Sequence, residues 1–324
     1  ALRRALERGL PAGSGGSRLL RGNHAEHEAL ESEAARFFGA ESALFFGSGY
    51  AANLALFSAL PSRRSAVVLD ERIHASVKEG VRASFARKYA ARHNDPQSFE
   101  DALRRARRDG ARELLVAVES LYSMDGDLAP LSELVELSRR HDAVLVVDEA
   151  HATGVLGPRG RGLMEGRLGE RHVALHGCGK ALGSAGALVV GPAVVKEYMV
   201  NAARPFLYST APPPAWAVVA RRALGLVDEE PWRRERLIAL CRLARGLLPG
   251  AAGTPIAPVP VGSEAAALEA SRALGDRGFD VRAIRPPTVP EGSCRLRVSL
   301  NADRSEAELR ALAGALAEVL ARGD

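Results

Sequence analysis

Between residues 143 and 191 the sequence sets an acid, a histidine and a lysine into an apolar stretch punctuated by glycine. The apolar run 143–147 ends in Asp148, and His151 follows three residues later. A second apolar run, 173–175, leads through glycines to Lys180. The chain has four lysines (Lys78, Lys88, Lys180 and Lys196) against forty arginines, so general positive charge does not explain a lysine at that place. Other polar residues follow other apolar runs: Ser48 with Gly49 and Tyr50, then His74, then Ser123. Taken singly, each has an ordinary explanation. A carboxylate at a strand end often caps a helix, and a histidine at a strand–helix junction is more often structural than catalytic. In an open α/β sheet, however, ligands bind beyond the carboxyl ends of the strands, and all of these residues fall there.

A lysine amine forms a Schiff base with an aldehyde, and pyridoxal 5'-phosphate is the common aldehyde cofactor. That cofactor needs an acid beside its ring nitrogen, an anion pocket, a flat side chain over the ring, and donors near its phenolic oxygen. Asp148, the Ser48-Gly49-Tyr50 turn, His74, and His151 with Ser123 supply these parts in that order. A helix that begins at a glycine turn suits a phosphate, because its first N–H groups and its dipole point the same way.

Competing motifs lack their partners. The tetrapeptide 148–151 spells DEAH, but the phosphate loop that motif works with is missing upstream. The one Gly-Lys pair, at 179–180, is followed by Ala181, and Ala174 stands where the first glycine of such a loop belongs. In the dinucleotide pattern GxGxxG, Gly183 comes one residue too late after Gly177 and Gly179. His172 and His176 have no glutamate between them, so no metal is expected.

The elements that must position these residues alternate short β-like runs with longer helical ones, which predicts an α/β fold with a mostly parallel sheet. Strands are expected at 43–46, 67–69, 114–118, 143–147 and 186–190, and around 173–175. Helices are expected over 1–10, 24–38, 50–59, 96–108, 130–140 and 193–203, and after His74. The segment 13–22 reads as a loop. The proline-rich stretch 204–214 reads as a hinge, giving a large domain over 1–214. A linker helix and a smaller α+β domain follow over 215–324. Its strands are expected at 256–261, 280–284 and 295–300, and its helices at 264–275 and 306–321.

The 324 residues, 47% hydrophobic and 26% charged, suit a globular protein. No apolar run reaches the ~20 residues of a membrane span. The start has no apolar core of a secretory signal, so a cytoplasmic location is expected. The net charge of +5 is spread along helices and interleaved with acids, so nucleic acid is not an expected partner. Cys178, Cys241 and Cys294 are odd in number and far apart, which fits a reducing compartment and no disulfide framework.

Nine stretches together resemble the α-oxoamine synthases, a family of fold-type I pyridoxal-phosphate enzymes. They are GSGGSRLLRG, FFGSGYAANLAL, DERIHASVKEG, RHND, ESLYSMDGDLAPL, VVDEAHATGVLGPRGRG, CGKALGSAGALV, ARPFLYSTAPPPA and AIRPPTVPEGSCRLRVSL. The resemblance runs from Gly13 to the last helix. It implies a homodimer with the active site at the interface. It makes Lys180 the cofactor lysine and the proton-transfer residue, and pairs Asp148 with the ring nitrogen. His151 and Ser123 fall near the phenolic oxygen, and His74 stacks on the ring. Gly49 and Tyr50, with Ser48, offer donors to the phosphate, which Thr210 approaches across the dimer. Arg297 takes the amino-acid carboxylate, and Arg285 lies on the substrate side. Gly177 stands beside the phosphate where the family commonly carries threonine, so a backbone N–H or a water would serve there. The segment ahead of Gly13 is shorter than the resemblance implies. RPPTVP before RLR, and YST before prolines, favour the branch that condenses L-alanine with a pimeloyl thioester of CoA or a carrier protein, for biotin synthesis. The alternatives are a glycine- or serine-using branch with another acyl group, and a catalytically impaired relative that binds the cofactor.

Overall fold

The protein is described by a computed structural model over residues 1–321. It divides into two compact units, one of residues 1–121 with 128–230, the other of 122–127 with the chain from Pro231 onward. Residues 322–324, the end of the expected smaller domain, lie outside the described residues.

The first unit is built on a seven-stranded sheet. Its strands are β1 (Ser42–Phe46), β2 (Ser65–Asp70), β3 (Arg87–Ala91), β4 (Glu113–Glu119), β5 (Ala143–Asp148), β6 (His172–Gly177) and β7 (Ala187–Gly191). They lie in the order β1-β7-β6-β5-β4-β2-β3. Every neighbouring pair from β3 through β6 is parallel, while β7 runs antiparallel to both β6 and β1. A parallel sheet covered on both faces reads as continuous apolar runs, and all of SAVVLD in β2 is buried. β3 was not expected, because RKYAA is a mostly exposed edge strand with no apolar run.

Around this sheet lie α1 (Leu2–Glu7), α2 (Ala25–Phe38), α3 (Gly49–Ala59), α4 (Ala75–Arg82), α5 (Pro96–Arg108), α6 (Leu131–Arg140), α7 (Ala193–Ala202), α8 (Arg204–Leu207) and α9 (Pro214–Glu229). α3 packs on α4 and over β6 and β7, and brings Leu56 and Phe57 into a core with Leu44, Val67, Val146 and Val173. α9 packs along α2 and α1, so the first unit runs to Glu230 instead of ending near residue 214. The expected hinge 204–214 contains the short helix α8 and belongs to that unit.

The second unit is a three-stranded antiparallel sheet, β8 (Ile256–Gly262), β10 (Cys294–Ser299) and β9 (Arg282–Ile284), in that order. Helices α10 (Trp232–Leu247), α11 (Glu264–Gly275) and α12 (Glu306–Leu320) complete it. Leu240, Val259, Leu274, Leu296 and Leu316 form its core. α12 opens with a reciprocal cap between Ser305 and Glu308, as SEAE suggests. The segment 122–127 joins this unit through Gly126, whose carbonyl accepts from Thr254 Oγ1 at 2.7 Å. Gly126 has φ +69, and a Cβ there would collide with the Ile256 carbonyl, so only glycine fits.

Among the described residues, no helix is long and apolar enough to cross a membrane.

Candidate active site

Register places the ends of the central strands side by side. Glu119 of β4 pairs with Asp148 of β5, and Asp148 pairs with Leu175 of β6. The acid therefore ends β5, and Lys180 lies three residues beyond the end of β6.

Lys180 sits on a loop between β6 and β7 that is closed at its base. Cys178 N–H donates to the Gly186 carbonyl, and Ser184 N–H to the Cys178 carbonyl, both at 2.9 Å. Gly183 N–H donates back to the Lys180 carbonyl at 3.0 Å. Gly186 has φ +92, and a Cβ there would stand 2.5 Å from Phe45 Cε2 and from the Phe46 carbonyl oxygen. The loop thus depends on a glycine at its return strand. Its tip exposes Lys180, whose Nζ lies 2.9 Å from His151 Nε2.

Asp148 is almost fully buried, and its carboxylate is held at both oxygens. Oδ1 accepts from Ala150 N–H at 2.9 Å, and Oδ2 accepts from Asn53 Nδ2 at 2.7 Å. Asn53, on the inward face of α3, also reaches Ser76 Oγ at 3.0 Å. Its own Oδ1 is buried without a hydrogen-bond partner among the described residues. An arrangement of that kind costs about 1–3 kcal/mol, so the two N–H contacts must repay it. Asn53 and Ser76 had no role in the sequence reading. Their only signal was a polar residue inside the apolar run AANLAL and a serine two after His74.

His74 caps α4 and accepts from Ser76 N–H. Its ring keeps an exposed edge, yet the surrounding protein is dense enough that desolvation lowers its pKa. Asp148 pulls the pKa up, and Lys180 and Lys78 push it down further. Electrostatically, then, His74, Asp148 and Lys180 form one site.

Behind it, Glu149 is wholly buried. Desolvation lifts its carboxyl to about 7, against Ser120 Oγ and the N–H groups of Leu163 and Met164, which hold it down. His176 is also buried, stacked on Phe38 at 3.6 Å between centroids, with Nδ1 2.8 Å from Thr153 Oγ1. Burial depresses its pKa to about 3. These two fix the turn after β5 that carries His151.

Ser48 caps α3, its Oγ accepting from Ala51 N–H at 3.1 Å, so Gly49 and Tyr50 form the first turn. N–H groups of a first turn have no partner within their helix. A Cβ on Gly49 would meet only Leu175 Cδ2, at 3.9 Å, so the approach to that turn is open. Gly177 is buried, and a Cβ there would press on Ala150 Cβ at 3.2 Å, which is why a small residue ends β6. Thr210 is exposed beside Ala211, whose N–H donates to the Gly16 carbonyl at 2.8 Å.

The second unit holds the remaining candidates. Arg297 is partly buried on β10, donating through Nε to the Ser123 carbonyl at 2.7 Å and through Nη1 to Ser299 Oγ at 2.9 Å. Desolvation lowers its pKa. Arg295, on the same face, pairs with Asp125. Arg285 is exposed and pairs with Glu264 at 2.7 Å.

A mostly parallel seven-stranded sheet with a lysine loop, an acid and a histidine at its carboxyl edge, accompanied by a small antiparallel unit, defines a fold-type I transferase. The aminotransferase class I and II family matches residues 1–316. The chain is 47% identical over 317 residues to the 8-amino-7-oxononanoate synthase of Anaeromyxobacter dehalogenans strain 2CP-1, covering 95% of this chain and 79% of that one. It is 46% identical over 336 residues to the synthase of the same name from Methylococcus capsulatus, covering 99% and 85%. Among solved structures, a serine palmitoyltransferase from S. paucimobilis with a bound PLP–myriocin aldimine superposes with a TM-score of 0.92 at 31% identity, covering 98% and 82%. An 8-amino-7-oxononanoate synthase from Francisella tularensis gives 0.82 at 26%, covering 99% and 93%. The chain belongs to the aminotransferase class I and II family, and within it to the α-oxoamine synthases.

Proposed function

We propose that this chain catalyses the pyridoxal-phosphate-dependent condensation of L-alanine with a pimeloyl thioester, releasing CO2 and the carrier thiol and forming 8-amino-7-oxononanoate in biotin synthesis. The observation that carries this is the Lys180–His151 contact at 2.9 Å, beside an Asp148 clamped at both oxygens, in a chain 47% identical to a curated synthase of that name.

The donors present suit the cofactor. Lys180 supplies the amine for its aldehyde, and Asp148 has unused lone pairs for a ring N–H. The first turn of α3, at Gly49 and Tyr50 with the Ser48 cap, suits the phosphate. Gly177 would give that phosphate a backbone neighbour in place of a hydroxyl, and Thr210 would approach it from the second subunit of a homodimer whose sites lie at the interface. When bound, pyridoxal phosphate supplies a conjugated ring that withdraws electrons from the amino acid's α-carbon.

The chain's own groups do the rest. Lys180 Nζ takes the α-proton and returns one to the product. His151, 2.9 Å away, steadies that amine and would face the phenolic oxygen, the role the family resemblance also gives to Ser123. His74, its pKa lowered by desolvation, would be the flat side chain over the ring. Arg297 takes the alanine carboxylate, and Arg285 lies toward the acyl chain. The thioester is carried by CoA or an acyl carrier protein, and the enzyme works in the cytoplasm.

A second reading, a serine- or glycine-using α-oxoamine synthase, is favoured by one observation: the serine palmitoyltransferase superposes better than the Francisella synthase, 0.92 against 0.82. A shared backbone is common to the family, whereas side chains select substrates, and there the 47% identity to the Anaeromyxobacter synthase exceeds the 31% to the palmitoyltransferase, which in turn exceeds the 26% to the Francisella synthase. The test is thiol release from pimeloyl-CoA with alanine, glycine or serine. Release that needs alanine supports the first reading, and release with serine or glycine alone supports the second.

A further inference from the structure

The turn that carries His74 and the strand end that carries Asp148 are tied together by two side chains with no part in the chemistry above. Asn53 on α3 is buried, with Nδ2 2.7 Å from Asp148 Oδ2 and 3.0 Å from Ser76 Oγ. Ser76, also buried, places Oγ 2.8 Å from His74 Nδ1, and its N–H donates to the same nitrogen at 3.2 Å.

The hydrogens along this chain can be counted. An amide nitrogen carries two, and Asn53 gives one to Asp148 and one to Ser76. His74 Nδ1 accepts the Ser76 N–H, so that nitrogen bears no hydrogen of its own. The Ser76 hydroxyl therefore donates to Nδ1 as well, and its oxygen accepts from Asn53. In the neutral ring the hydrogen sits on Nε2. Turning the Asn53 amide over would set Oδ1 against a carboxylate oxygen 2.7 Å away, so the charge of Asp148 fixes the direction of the whole chain. A buttress alone would be apolar, as the neighbouring Ala52 and Leu56 are.

We propose that Asn53 is a positioning residue that sets two groups at once, the plane of the Asp148 carboxylate and, through the Ser76 hydroxyl, the orientation of the His74 ring, whose Nε2–H form the Ser76 N–H already selects. The inference rests on the cofactor reading above. It gives the two residues that flank the cofactor ring a common anchor, so that the ring-nitrogen partner and the ring-face partner are held in one fixed relation.

The test uses the full-length protein with Asn53→Asp, Asn53→Ala and Ser76→Ala. Asn53→Asp keeps the size but places two carboxylates together, which then share a proton. The readouts are the dissociation constant for pyridoxal phosphate from its visible spectrum, the ring 15N shifts of His74, which report the hydrogen bonding at Nδ1, and the melting temperature. Both Asn53 variants should weaken cofactor binding by about ten- to a hundred-fold, the range for losing one hydrogen bond to a charged group. Ser76→Ala should weaken it by no more than about three-fold, a loss below that of one such bond, and should still move the His74 ring 15N shifts, because the hydroxyl contact to Nδ1 goes while the backbone N–H contact stays. Asn53 variants that melt earlier but leave cofactor affinity and the His74 signals unchanged would reduce Asn53 to a packing residue and overturn the proposal. Affinity lost with the His74 signals unmoved in every variant would overturn the coupling. A wild-type protein that takes up no cofactor would overturn the reading underneath, whatever the His74 signals show.

Discussion

Arg295 and Arg297 stand two residues apart on one face of β10, and their surroundings predict opposite consequences when each is removed. The strand alternates, with Cys294, Leu296 and Val298 in the core and the two arginines on the other side. Arg295 already has a carboxylate, that of Asp125. Arg297 is desolvated, and its hydrogen bonds run to neutral acceptors, the Ser123 carbonyl and Ser299 Oγ. These use two of the five N–H donors of a guanidinium. A desolvated charge without an opposite charge is a cost to the fold. An amino-acid carboxylate would relieve it. One charge-assisted hydrogen bond is worth about 1.5–3 kcal/mol, which corresponds to roughly ten- to a hundred-fold in affinity. Arg297→Met should therefore raise the alanine dissociation constant by about that factor, while unfolding free energy changes by less than ~1 kcal/mol, since lost hydrogen bonds and relieved desolvation offset. Arg295→Met should do the reverse. It removes the ion pair with Asp125, lowers stability by about 1–3 kcal/mol, and leaves alanine affinity within about three-fold. Alanine binding is followed through the visible spectrum of the cofactor, and stability by urea denaturation. If Arg297→Met binds alanine as wild type does and loses as much stability as Arg295→Met, then Arg297 serves the fold and the reasoning fails.

Two further predictions concern the frame. Gly186→Ala should cost at least ~2–3 kcal/mol in urea unfolding, because φ +92 and the 2.5 Å approaches to Phe45 and Phe46 admit no Cβ, whereas Gly179→Ala, whose nearest atom is Ser184 O at 3.7 Å, should be tolerated. Equal costs for the two would contradict the account of the lysine loop. The second concerns His176, whose pKa falls from 6.5 to about 3 on folding. Below pH 6.5 the unfolded chain binds the extra proton, so the stability from this group is complete above 6.5 and is lost as pH falls toward 3. From pH 7 to 5 the loss is about 2 kcal/mol. Glu149, raised to about 7, works the other way: its contribution is complete below 4.5 and is lost as pH rises to 7. The wild type should therefore lose about 2 kcal/mol more than His176→Phe between pH 7 and 5, a difference in which Glu149 cancels, and parallel curves would contradict the assignment.

Much of this was legible in the sequence because periodicity and burial agree. Doubly covered strands such as β2 and β5 appear as unbroken apolar runs, and β10 as a strict alternation. The contact of Lys180 with His151 was foreshadowed by both following apolar runs that turned out to be adjacent strands. What failed to show depends on partners distant in sequence. β3 is an edge strand recognised only by its pairing with β2. α9 reads as a linker until it is seen along α2, and 122–127 reads as a loop of the large unit until Gly126 meets Thr254. Asn53 is one polar residue in an apolar helix, and its meaning comes entirely from Asp148, ninety-five residues away.

The central claim is that Lys180 carries the cofactor, and with only four lysines in the chain it can be tested outright. Purified protein is reduced with borohydride and mapped by peptide mass. The account predicts a visible band lost on reduction, a pyridoxyl adduct on the peptide containing Lys180, and neither band nor adduct in Lys180→Ala. An adduct on Lys78, Lys88 or Lys196 instead, or a colourless wild type that takes up none, would contradict it.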